Sequence, residues 1–450
     1  MSEQDGRQAV VQQRPTTNCQ DEWKAYWKAQ RQPWRTEPEI DRERQTYLAE
    51  RRTVVPDIAR GIYPFKDIKL SRADIEWLLA THENGRGPVD WNDQSQRYRE
   101  GLDLRGAILN EENLSELPLA RLLGEIGTRR QVTPTSEFIF TTTEQRNMAA
   151  VHMEGTNLEG THLEKANLSR CHLNRANIRS AHLESADLFS AHVDEAFLSH
   201  AHLEGAVLRG CHLEGTILYH AHLAGADLLR AIFNHDTNLE GILLWDEKHG
   251  YASLADIRWG DANLTVVNWS QVKLLGDEYR LHQHSMYDGK AKDRETQIKD
   301  YQRAIRANRQ LAVKLQDQGM NEDAARFAYR AQKLQRVVLG RQKKLAAYLF
   351  SGFLDLLAGY GYRPIRSIIW YLMVIVGFAA AYFTLGHLPL IPDSLVFSLM
   401  SFHGRGFFPS ISGETNLHNP LVVLAACEAV IGLFIEISFI ATFTQRFFGK

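Results

Sequence analysis

Cysteine is scarce in this 450-residue chain. Cys19, Cys171, Cys211 and Cys427 are the full complement, and no two share a paired spacing. That argues against a disulfide-stapled secreted fold and against a zinc ribbon. Charge of either sign is not in excess: 52 Lys and Arg face 54 Asp and Glu, so no whole-chain bias draws the protein to nucleic acid. The opening MSEQDGRQ lacks the basic-then-apolar pattern of a signal peptide, so the bulk of the chain is expected in the cytoplasm. The first 340 residues hold no uncharged stretch long enough to span a bilayer. A phosphate loop and a nucleophile with an adjacent base are also missing, so neither an enzyme nor a cofactor is expected. Gly85-Arg86-Gly87 reads as a loop.

What is present is a repeat. Between Met153 and Phe233 an apolar residue stands at every fifth position, giving 17 centres in phase. A small residue lies two positions before 16 of them, Val151 being the departure. Period five is neither the 3.6 of a helix nor the 2 of a strand. Two inward and three outward residues per side fit a square coil of about twenty residues, stacked at roughly 4.8 Å. Leu104, Leu109 and Leu114 read as a first short run. Leu239 and Leu244 follow the main run after a one-residue slip, and Leu254, Trp259, Leu264, Trp269 and Leu274 form the last. These 27 sides make nearly seven coils and a rod of roughly 30 Å. Residues 117–149 read as an insertion, with LPLARLLGEI as a short helix before a polar loop. Cys171 and Cys211 take small inward positions and read as core.

The motifs ANLSR (166–170) and ADLFS (186–190) resemble the pentapeptide-repeat family. The resemblance implies a right-handed quadrilateral β-helix. One role of that fold class is mimicry of a DNA duplex to block a topoisomerase. The apolar runs near the chain's end disfavour it here.

Every second residue before a centre is histidine: His152, His162, His172, His182, His192, His202, His212 and His222. Ten residues are two sides of the square, so the eight should form two outward ladders on opposite faces, with rungs about 4.8 Å apart. They read as a solvated stack, or as a ladder able to sense protons or a soft metal.

The remaining organisation follows composition. Residues 1–20 are polar and expected to be disordered. Residues 21–101 form a helical N-terminal region, with one helix starting at an Asp21 cap and another capped by Ser71. The β-helix covers 102–275. Residues 276–345 carry a helical hairpin broken at Gly319, its second helix capped by Asn321. A basic juxtamembrane helix at 346–366 is expected to face anionic lipid. Asp355 is the single acid among nine Lys and Arg in residues 326–366.

Residues 367–450 hold two long apolar runs. Residues 367–385 carry no charge, and 421–444 are interrupted only by Glu428 and Glu436. Arg363 and Arg366 precede the first, and Arg446 and Lys450 follow the second, which places both termini in the cytoplasm of a two-span protein in the cell membrane. Between them a short apolar helix near Pro392 to Phe402 leads into Gly404-Arg405-Gly406. Span, short helix, G-x-G loop and span resemble the two-span pore-loop channel superfamily, and the approach DLLAGYGYRP resembles bacterial pentapeptide-repeat channels of this type. The resemblance implies a homotetramer, with Phe402, His403, Gly404, Arg405, Gly406 and Phe407 at the filter and Gly432 at a hinge. It also implies a permeant ion, with cations expected to be conducted, and the lipid bilayer as partners. Three of these residues differ from a potassium filter: Phe402 stands at the threonine position, Arg405 at the tyrosine and Phe407 at the aspartate, with His403 at the variable position after Phe402. An Arg405–Glu428 pair is expected behind the filter, and Glu436 at the inner cavity. An unidentified cytoplasmic ligand or protein would act through the β-helix. The alternative is a membrane-anchored scaffold whose β-helix binds a protein partner.

Overall fold

A repeat of five requires the backbone to turn once every five residues. Each side from Met153 to Leu228 does so with a left-handed residue two positions after its centre, as the third residue of a type II turn requires. Gly155, Gly160, Gly205 and Gly210 fill that position, and so do Lys165, Arg170, Ser180 and Glu195, with φ between 52° and 69° across the series. The turn closes with a bond such as Thr156 N to Met153 O, 3.2 Å.

This computed structural model describes residues 13–57, 60–96, 98–125, 149–279, 281, 293–386, 391–404 and 420–447. They belong to two compact units, residues 1–283 and 284–450.

In the first unit each side pairs in parallel with the side one coil away. His152 pairs with His172, Asn157 with Asn177 and Asn167 with Asp187, a twenty-residue step sustained to His212–Ile232. Stacking fills the interior with apolar centres, among them Leu158, Leu188, Leu203 and Leu228, all 2% exposed or less. The small inward residues leave room for them. Where these are threonine, the hydroxyl bonds a carbonyl one coil away: Thr156 to Leu109 O at 2.8 Å, and Thr216 to Val193 O at 2.9 Å. Cys171 and Cys211 are fully buried and donate to Gly124 O and Ala191 O.

Three expectations change. Residues 117–125 are not a helix: Pro118 pairs with His162 and Leu123 with Asn167, so Leu119 and Gly124 are further centres. The step from Ile108 to His152 shows that the insertion begins after these sides, and residues 126–148 lie outside those described. The last run ends on Leu275, fully buried, while Leu274 is half-buried. Two register breaks lie near the end. The step is 21 residues at Ile217–Asn238 and 26 at Asp227–Ser253, the latter accommodating a short antiparallel hairpin in which Trp245 pairs with Tyr251.

The N-terminal region covers the first coil, whose edge would otherwise offer unpaired backbone groups. Helices α1 (Gln20–Ala29), α2 (Arg42–Arg52) and α3 (Arg72–Ala80) lead into and follow a segment that pairs Lys69 with Ile108. Arg72 Nη1 donates to the carbonyls of Asn113 and Ser115. Ser71 caps α3 in a reciprocal box with Asp74. The α1 cap position is Cys19 rather than Asp21, which lies in the first turn. Of the stretch expected to be disordered, residues 1–12 lie outside the described residues, and Thr17 O accepts from Trp23 Nε1 at 2.9 Å.

In the second unit α4 (Arg294–Asp317) and α5 (Asn321–Arg341) form an antiparallel pair joined at Gly319, φ 80°. Met320, not Asn321, holds the cap position of α5. Helix α6 (Leu345–Ala358) precedes α7 (Pro364–Gly386), α8 (Ile391–Phe402) and α9 (Pro420–Phe447).

Replacing Leu188 by Ala should cost about 2–5 kcal/mol, because neighbouring coils cannot close the hole without breaking their ladders. Urea unfolding followed by far-ultraviolet circular dichroism reads this directly, and an unchanged midpoint would contradict the packing described.

Candidate functional site

Helices α7 and α9 are each long and apolar enough to cross a membrane, with mean hydropathies of 2.1 and 2.2 over their 21-residue cores. Only 17% and 22% of those cores are buried. Leu372, Val376, Val430, Leu433 and Ile437 project outward and are exposed. A buried soluble hairpin would show the reverse.

The short helix α8 sits against both long helices. Two close contacts hold it. Gly432 on α9 lies where the end of α8 meets it, and a β-carbon there would come within 2.3 Å of Phe402 O. The glycine expected at a hinge therefore serves as a close-approach point in a continuous helix. Phe402, expected at the filter, is 1% exposed and packs with Ile375, Leu357 and Ile435, with Tyr371 edge-on at 4.9 Å. Its ring anchors the helix in the apolar core, and its carbonyl faces Gly432. The second contact is polar. Buried Glu428 accepts from Tyr382 on α7 at 2.7 Å and from Ser398 on α8, whose hydroxyl also lies 2.9 Å from Ile375 O.

Each carboxylate oxygen of Glu428 thus has a hydroxyl partner. The expected Arg405 partner, with Gly406 and Phe407, lies outside the described residues. His403 follows α8, its Nδ1 3.3 Å from Glu436 Oε1, and Gly404 adopts φ 67°. Glu436 is half-buried.

Asp355 on α6 has a role its sequence position did not reveal. Its carboxylate accepts from Tyr329 Oη and Arg336 Nη1 on α5, both 2.9 Å, and from Arg366 Nη1 on α7 at 3.3 Å. Arg366 also donates to Asp355 O at 2.9 Å. Arg363 lies over the Tyr329 ring, 4.6 Å from its centroid. The single acid of this basic region is therefore the pin joining hairpin, α6 and α7.

In the first unit the histidines form two ladders. Along His152, His172, His192 and His212 the ring centroids are 4.7, 5.1 and 4.6 Å apart and nearly parallel. Along His162, His182, His202 and His222 they are 4.6, 5.0 and 4.7 Å apart. A third stacked pair, His200–His220 at 5.5 Å, sits at the left-handed corners. Carboxylates two residues after the rungs face the Nδ1 atoms. The Glu164 carboxylate, bonded at 2.8 Å, raises the pKa of His162. Burial and then the neighbouring imidazole lower His172, beside His152, Glu154 and His192, and His192, beside His212 and Asp194.

Comparison with known proteins concerns the first unit. Residues 152–192 and 196–234 match the family model "Pentapeptide repeats", in eight copies. Among solved structures, one similar protein is a pentapeptide repeat protein of the Arabidopsis thaliana thylakoid lumen. It is 21% identical, spans 37% of this chain and 96% of its own, and has a TM-score of 0.20. A second, from the cyanobacterium Cyanothece, is 24% identical over 34% of this chain and 90% of its own, TM-score 0.15. The plasmid-mediated fluoroquinolone resistance protein QnrB1 is 14% identical over 37% and 81%, TM-score 0.16. No curated protein matches the chain. The central segment of this chain is a pentapeptide-repeat β-helix.

Two outcomes follow from this geometry. Converting Asp355 to Asn leaves Arg336 and Arg366 without their anion and should destabilise the second unit by about 1–3 kcal/mol, read by thermal unfolding in detergent. His172 and His192 bind protons more weakly folded than unfolded. Their contribution to stability is present above the unfolded pKa, about 6.5, and is lost as pH falls through the lower folded value. His162 acts oppositely. The thermal midpoint of the first unit should fall on acidification below about pH 6.5, and His172→Asn with His192→Asn should flatten that slope.

Proposed function

We propose that this chain is a subunit of a tetrameric pore-loop ion channel. Its two apolar helices cross the membrane, and its pentapeptide β-helix serves in the cytoplasm as an assembly or sensing module. The observation that carries this reading is α8. A tether needs two spans and a connection. Here the connection includes a twelve-residue helix packed on both spans, fixed by Phe402 against Gly432 and by the Tyr382–Glu428–Ser398 network. Buried polar groups in apolar helices are costly and mark function by default. Two spans cannot enclose a path alone, so copies must assemble to form one. His403 and Glu436, paired at the end of α8, would line that path, and Gly404 carries the left-handed backbone that carbonyl-lined paths use.

Helix α6 supports the same placement. Leu345, Leu349, Phe350 and Leu356 are exposed on it, just after Lys343 and Lys344. An exposed apolar face beside basic residues suits a bilayer surface. The Asp355 pin would pass force from α5 to α7.

The second reading is a membrane-anchored scaffold, favoured by the pentapeptide β-helix itself, a fold with broad lateral faces suited to a protein partner. Ion flux into vesicles separates the two. Wild type in lipid vesicles should dissipate a potassium gradient. Gly432→Val should abolish flux by displacing Phe402, while the β-helix keeps its circular dichroism. Equal leak from wild type, Gly432→Val and empty vesicles would leave only the scaffold. Glu436→Gln should reduce cation flux, and unchanged flux and selectivity would remove Glu436 from the conduction path.

A further inference from the structure

The histidine ladders are not evenly furnished with carboxylates. On one face the residues two after each histidine are Glu154, Asn174, Asp194 and Glu214, and on the other Glu164, Glu184, Glu204 and Ala224. Where the acid is missing, two imidazoles turn to one carboxylate. His202 Nδ1 and His222 Nδ1 both lie 3.3 Å from Glu204 Oε1. His152 and His172 lie 3.3 and 3.8 Å from Glu154 Oε1.

Three of these four distances, 3.3 Å each, match the separation of ligand atoms on a small ion, and the fourth, His172 to Glu154, is 3.8 Å. Zinc bonds to His nitrogen and carboxylate oxygen are about 2.0–2.2 Å, which sets ligands of a tetrahedral site about 3.3–3.6 Å apart. The rungs also show a local adjustment. Ring pairs elsewhere in the two ladders are within 19° of parallel, whereas His202 and His222 are tilted by 42°.

The carboxylate is built in, not waving on the surface. The Glu204 side chain is 10% exposed. Its Oε2 is buried and without a hydrogen-bond partner, as are Oε2 of Glu154, Glu164 and Glu184. A recurring carboxylate with one buried, unpartnered oxygen, set between imidazoles, calls for a cation. Among the described residues lysine and arginine do not supply it, since the ion pairs made by Glu204 and Glu154 are with histidine.

We propose that the β-helix binds zinc-class divalent ions between adjacent coils, at His202–Glu204–His222 and at His152–Glu154–His172. Each supplies two imidazole nitrogens and one carboxylate, leaving a fourth position for water. That donor set selects zinc and its first-row neighbours over calcium and magnesium, which prefer all-oxygen sites. His162–Glu164–His182 and His192–Asp194–His212 likewise bring together two histidines and one carboxylate. An ion held between coils would clamp residues twenty apart, adding to the ladder bonds there. The site stands whether or not the second unit conducts ions.

Cobalt is the probe. Full-length protein in detergent, stripped with chelator, is titrated with Co²⁺ and then Zn²⁺. Intense visible bands of four-coordinate cobalt, bleached by zinc, are expected. Glu204→Gln and His222→Asn should each weaken binding at one site by more than about 100-fold, beyond the loss seen for outer partners of a metal site. His235→Asn, exposed and outside the ladders, should change nothing. Circular dichroism confirms that each variant is folded. The weak spectrum of six-coordinate cobalt, or affinity unchanged in both folded variants, would overturn the site and leave surface histidines binding adventitiously. Loss of the site with ion flux intact would separate this inference from the channel reading.

Discussion

The twenty-residue step between paired sides is the constraint from which the first unit follows. It sets a residue above its counterpart at the spacing of backbone hydrogen bonds, so any side chain repeated at that interval becomes a column. Apolar centres become a continuous core, threonines a set of inter-coil bonds, and histidines two stacks of rings. The side chains add to a scaffold that the backbone ladder fixes. Chemistry at one rung therefore recurs along the rod, and an exception at one rung, such as Ala224 after His222, changes the partners of the next.

The second unit depends on a different constraint, the close approach of two helices at a residue without a β-carbon. Gly432 lets the carbonyl of Phe402 reach α9, and this brings Ser398 and Tyr382 around Glu428. Apolar packing and the polar network thus reinforce one arrangement of α7, α8 and α9. Asp355 extends it, since it bonds α5 and α7 at once. A displacement of α5 and one of α7 are mechanically linked through a single carboxylate.

Much of this was legible in the sequence because the period of five is unlike either regular structure, and a helix or strand cannot imitate it over 17 centres. The ladders followed from the period by arithmetic. The errors have physical causes. LPLARLLGEI has the leucine density of a helix, and Leu117 and Leu122, where small residues are usual two positions before a centre, obscured the register that continues through Leu119 and Gly124. The burial of the Phe402 ring, by contrast, follows from its bulk and hydrophobicity once α7 and α9 are packed around α8. Asp355 looked like a minor exception in a basic helix, because its partners lie 26, 19 and 11 residues away. The sharing of Glu204 by His202 and His222 needs the coil length before it can be seen at all.

The most direct test of the account is single-channel recording of the purified full chain in planar bilayers under a potassium chloride gradient. The account predicts discrete current steps with a reversal potential displaced from zero toward that of the cation. A bilayer that stays silent from acid to neutral pH, with and without zinc, while the same preparation is inserted and folded, would contradict it.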